Sequence, residues 1–124
     1  MIWLAVAAGG ALGAMLRFAA SRLCEAWLGS AFAWSTLLVN VIGSAAAGGL
    51  LVFLMDRTVD QPELRAFWMV GLLGALTTFS TFSLETLQLL ESGRWAWAGL
   101  NVLANVLLCL LACAASMGLV RSLN

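Results

Sequence analysis

Charge is confined to short stretches of this chain, and the intervals between them constrain its fold more than any other feature. No charged side chain occurs from Met1 to Leu16, from Ala26 to Met55, from Ala66 to Leu84 or from Trp95 to Val120. A helix needs roughly 20 apolar residues to cross the hydrocarbon of a bilayer, so crossings are expected at about residues 3–27, 34–55, 64–90 and 95–120. With 63% of its 124 residues hydrophobic and 10% charged, the composition lies far outside that of a soluble domain. The expectation is an all-α integral membrane protein: one multi-pass domain, residues 1–124, with four transmembrane helices per subunit.

The tryptophans fit that division. Trp3, Trp27, Trp34, Trp68, Trp95 and Trp97 all fall near an end of an apolar interval, where an indole ring suits the headgroup level. No basic stretch precedes the first interval, so the chain reads as mature protein from Met1. Cys24, Cys109 and Cys113 lack metal-ligand spacing and histidine is absent, which argues against zinc, histidine-ligated haem and a disulfide framework. The thiols read as small buried hydrophobes. A formal net charge of zero gives no reason to expect a nucleic-acid partner.

Orientation is the informative question about charge. If both termini and the loop from Met55 to Leu64 share one side, that side holds Arg57, Arg65 and Arg121, while the other holds Arg17, Arg22 and Arg94. Equal counts give the positive-inside preference nothing to act on. A dual-topology protein, inserting both ways and pairing antiparallel with itself, follows as an expectation.

Several polar residues interrupt the apolar intervals. In the first helix Gly9 and Gly13 are four apart, a spacing that lets another helix approach closely. Arg17 is either snorkelled at the helix end or lines a wet vestibule that attracts anions. In the second helix Gly43, Ser44, Ala47 and Gly48 read as a packing face. Asn40, with amide donors and an acceptor to satisfy, reads as pore-lining or as an interhelical hydrogen-bonding residue. Asp56 to Glu63 reads as a surface linker, with the sole proline, Pro62, near the start of the third helix. That helix carries Gly71, Gly74 and then Thr77-Thr78-Phe79-Ser80-Thr81-Phe82-Ser83, a run that predicts an interruption near the midplane. Ser92-Gly93-Arg94 makes a short turn into the fourth helix, where Asn101, Asn105, Cys109, Cys113 and Met117 recur every four residues on one face. This stripe reads as a polar track, or as asparagines bonding neighbouring helices.

These residues discriminate between function classes. An enzyme would need a nucleophile with a base in reach, and the chain has neither histidine nor lysine. A small dual-topology proton-coupled exporter of organic cations, the alternative reading, needs a carboxylate at membrane depth; Arg17 is the wrong charge and Glu85 lies near the end of its segment. A path for a small anion fits better. Asn40, Thr78, Ser80, Thr81, Ser83, Asn101 and Asn105 are neutral donors that can replace water around an anion and still release it. Phe79 and Phe82, three apart, share a helix face, where they either pack or turn the positive edges of their rings inward.

Gly10-Ala11-Leu12-Gly13-Ala14 with Arg17, Thr36 to Ser44 with Asn40, Gly71 to Leu76, and Thr77 to Ser83 with Glu85 resemble the signature of the Fluc (CrcB) fluoride channels. The resemblance covers all four helices, and the Thr-Thr-Phe-Ser-Thr-Phe-Ser string is its most specific part. It implies a fluoride-selective passive channel of the cytoplasmic (inner) membrane, an antiparallel dual-topology homodimer with two pores that exports fluoride and confers fluoride resistance. By this likeness Phe79 and Phe82 correspond to the pore phenylalanines and Asn40 to the vestibule asparagine. Gly74 and Thr77 occupy the break where backbone carbonyls hold a structural sodium ion at the dimer centre. One departure stands out. Where the family often places tyrosine and serine hydroxyls along the fourth helix, this chain has Asn101, Asn105 and Cys109, and a thiol is a weak donor.

Overall fold

A computed structural model describes residues 1–55 and 61–123, and every regular element in it is helical. We label them α1 (Ile2–Leu28), α2 (Trp34–Met55), α3, α4 (Phe79–Glu91) and α5 (Trp95–Leu123). α3 begins as Pro62–Arg65, widens into a π-wound stretch over Ala66–Leu73 and closes with the turn Gly74–Leu76. α3 and α4 follow one another within a single span, Pro62–Glu91, so among the described residues four helical spans are long and apolar enough to cross a membrane. Most of the expected surface linker, residues 56–60, lies outside the described residues.

Glycines end two of these helices for a steric reason. At Gly29 (φ 74°) the chain leaves α1 while its amide still bonds the Glu25 carbonyl at 3.2 Å. At Gly93 (φ 74°) it turns out of α4, and the next amide, Arg94, donates back to the Leu89 carbonyl at 2.8 Å. A side chain at either position would sit in the left-handed region that glycine alone enters freely.

Lipid tails are as apolar as leucine, so helices in a bilayer associate through close packing rather than through hydrophobic expulsion. This chain follows that rule on two faces. α1 packs chiefly on α3, where Gly9 and Gly13 lie against the carbonyls of Phe67 and Leu72, and a Cβ on Gly71 would come within 2.7 Å of the Val6 carbonyl. The four-residue spacing of Gly9 and Gly13 therefore marks a true backbone contact. α2 packs chiefly on α5: a Cβ on Gly48 would meet the Cys113 sulfur at 3.0 Å, and one on Gly49 the Ser116 hydroxyl at 2.7 Å. At the end of the bundle near the α1–α2 loop, the buried Phe32 ring sits 4.8 Å from Trp34 and 5.4 Å from Trp97, with the Arg94 guanidinium over Trp97. The core is thin, built from Val39, Val52, Leu72, Leu73, Phe82, Leu89 and Ala98. Within α5's most apolar window only 6% is buried inside the subunit, leaving its leucine-rich outer face outward.

Candidate functional site

Between Leu76 and Phe79 two residues leave helical geometry: Thr77 has φ −79°, ψ 155° and Thr78 has φ −152°, ψ 121°. Extended residues at membrane depth expose peptide groups that must find partners. Thr78 supplies one itself, capping α4 with its Oγ1, which accepts from the Thr81 amide at 3.2 Å. Asn40 supplies two more. Its Oδ1 accepts from the Thr78 amide at 2.8 Å, and its Nδ2 donates to the Thr78 carbonyl at 3.1 Å, so one α2 side chain grips both edges of the break.

These bonds take two amides away from the carbonyls they would meet in a continuous helix. In an unbroken helix the Thr78 amide would bond the Gly74 carbonyl and the Thr81 amide the Thr77 carbonyl; here those amides go to Asn40 and to the Thr78 hydroxyl. The Gly74 and Thr77 carbonyls thereby lose their helical donors.

From Asn40 the hydrogen bonds run on in one direction. Asn40 Nδ2 donates to Asn105 Oδ1 (3.0 Å), Asn105 Nδ2 to Asn101 Oδ1 (3.1 Å), and Asn101 Nδ2 to Thr86 Oγ1 (3.0 Å). Thr86 Oγ1 in turn donates to the Phe82 carbonyl at 2.7 Å. The chain starts at the break, crosses α2 and α5, and returns to α4 at one of the two phenylalanines. Asn101 has no exposed surface and Asn105 is 6% exposed, so the bond between these two amides is shielded from water.

A groove of about 550 Å³ opens beside this network. Of the residues singled out from the sequence, Asn40, Gly74, Thr77, Thr78, Phe79, Phe82, Asn105 and Cys109 line it, and none of the described lining residues is charged. The two rings lie 5.3 Å apart at 50°; Phe82 is buried and Phe79 is 79% exposed. Arg17 and Thr81 line a neighbouring cavity of about 310 Å³, which meets the groove at Thr78. Ser80 stays near the cap, with its Oγ 3.2 Å from Thr78 Oγ1, while Ser83 turns its hydroxyl to the Phe79 carbonyl at 2.9 Å. Asn101 lies behind the groove.

Two participants were not singled out by pattern. Thr86 closes the relay, and its only sequence signal is its place four residues after Phe82, facing a helix that returns across a short turn. Thr36 donates to Glu85 Oε1 at 2.9 Å, and the other carboxylate oxygen is buried with no partner among the described residues. Glu85 thereby also faces the Arg17 cavity.

Comparison with known proteins places this architecture. A family model described as CrcB-like protein, Camphor Resistance (CrcB), matches residues 4–117. The chain is 54% identical over 116 residues to a protein of Magnetococcus marinus named fluoride-specific ion channel FluC, covering 93% of this chain and 92% of that one. Proteins of the same name from Hydrogenovibrio crunogenus and Hahella chejuensis are 49% and 46% identical; the alignments cover 84% and 94% of this chain and 79% and 91% of theirs. This multi-pass membrane protein belongs to the CrcB family.

Proposed function

We propose that this chain is a fluoride-selective passive channel that lets fluoride leave the cytoplasm across the inner membrane, and that it works as an antiparallel homodimer. The observation that carries the reading is the uncharged groove in which a phenylalanine pair meets a fixed cluster of amides and hydroxyls. The names of relatives about half identical to this chain support the choice of anion. Fluoride is small and strongly hydrated, so a dry path must replace its water with donors and ring edges. A larger halide gains less from a narrow, donor-lined path than fluoride does.

The homodimer is supported by the balanced arginines and by Phe79, a large ring left 79% exposed beside the groove. An inverted second copy would cover that ring and complete the wall it leaves open. The interruption at Thr77 and Thr78 lies within the third crossing, and the carbonyls of Gly74 and Thr77 fit a structural sodium ion. Such an ion would bring positive potential to the centre of the pair. Arg17, in the cavity that meets the groove at Thr78, serves as an anion-attracting vestibule residue.

Recording fluoride with an ion-selective electrode, from proteoliposomes loaded with potassium fluoride, tests the reading. Efflux that starts on adding a potassium ionophore and needs no pH gradient is the expected result. Organic-cation uptake driven by a pH gradient, with no fluoride release, would replace the channel with an exporter.

A further inference from the structure

Six polar side chains line the groove: Asn40, Ser44, Thr77, Thr78, Asn105 and Cys109. Four have spent their donors inside the subunit. Asn40 Nδ2 serves the Thr78 carbonyl and Asn105, Asn105 Nδ2 serves both oxygens of Asn101, Thr77 Oγ1 serves the Leu73 carbonyl, and Thr78 Oγ1 serves Thr81. An anion could recruit these donors only by breaking bonds that hold the break in place. Ser44 and Cys109 are different, since neither side chain has a hydrogen-bond partner among the described residues.

Ser44 is the more telling of the two. A serine or threonine inside an apolar helix can return its proton to the carbonyl four residues back, and Ser83 and Thr86 do so here, while Ser21 and Ser116, away from the groove, do not. Ser44 does not, although the carbonyl of Asn40 is at the right spacing. Its glycine neighbours explain the stripe as packing: Gly43 lies against Thr77 and Gly48 against Cys113. Ser44 instead faces the groove, half-buried, one helical turn beyond Asn40. A hydroxyl is a far stronger donor than the Cys109 thiol.

We propose that Ser44 is a direct fluoride contact, its hydroxyl proton turned onto the ion beside the phenylalanines, and that Asn40 and Asn105 are positioning residues that shape the wall. This rests on the fluoride-channel reading above. It makes selectivity depend on one uncommitted hydroxyl rather than on the amides.

The test compares initial fluoride efflux from proteoliposomes of the parent and of Ser44→Ala, with dimer fraction and thermal unfolding measured on the same preparations. Loss of one hydrogen bond to an ion should slow efflux roughly tenfold, with assembly and unfolding unchanged. Should Ser44→Ala fail to assemble, Ser44→Cys, close in shape but a weak donor, takes its place with the same slowing expected. Either variant matching the parent's efflux overturns the role of Ser44 while leaving the channel intact. A parent that releases no fluoride overturns the channel reading and this inference together.

Discussion

Asn40 binds both the amide and the carbonyl of Thr78 and passes a hydrogen bond onward to Asn105, so its exchange for aspartate is more than a change of charge. Asn40→Asp removes both donors and leaves a carboxylate facing the Thr78 carbonyl and Asn105 Oδ1. Uncompensated acceptors of this kind cost about 1–3 kcal/mol. The variant should both lose fluoride efflux, by tenfold or more, and unfold at lower temperature; unchanged unfolding would show that the grip on Thr78 is incidental. At this scale the sequence was partly legible. Asn40, Phe79, Phe82 and the Asn101–Asn105–Cys109 row stand out by type and spacing, because polar groups are rare at membrane depth. What periodicity cannot give is which partner each amide meets. A row at every fourth position fixes a face, not the helix opposite it, so the bonds from Asn40 to Asn105 and from Asn101 to Thr86 became visible only in three dimensions. Ser44 was hidden for the opposite reason, since its glycine neighbours make the whole stripe look like packing.

Helices here are held by backbone-to-backbone approach. The π-wound stretch of α3 lies against α1 so closely that a methyl group on Gly71 would come within 2.7 Å of the Val6 carbonyl and 3.0 Å of the Gly10 amide nitrogen. Neither atom belongs to a flexible side chain, so the helices themselves must part. Gly71→Ala should therefore destabilise the fold by about 1–3 kcal/mol, read as a lowered thermal midpoint in detergent. Gly10→Ala, where the same methyl meets open space, is the control; equal stability of the two variants would contradict the packing account. Helix positions and the close contact of α1 were readable from charge-free intervals and the spacing of Gly9 and Gly13. The π winding of Ala66–Leu73 was not, because an extra residue per turn leaves no mark in a stretch that is apolar on every side.

For the molecule as a whole, the proposed dual topology and antiparallel pairing rest on the charges at the ends of the spans. With Arg57, Arg65 and Arg121 set against Arg17, Arg22 and Arg94, neither orientation is favoured. Substituting arginine for two uncharged residues beside the chain's ends should drive most copies into one orientation, as read by accessibility of a single reporter cysteine from either side. Fluoride efflux should fall with the loss of inverted partners and return when an oppositely biased variant is co-expressed; full activity of a uniformly oriented population would exclude the antiparallel dimer. The central claim, that fluoride crosses through the groove beside the phenylalanine pair, is tested most directly by fluoride and chloride electrodes reading the same doubly loaded vesicles. Parent protein should release fluoride and retain chloride, and Phe82→Ile, which keeps apolar bulk but removes the ring's positive edge, should release neither. Fluoride release no faster than from protein-free vesicles, or undiminished release through Phe82→Ile, would contradict it.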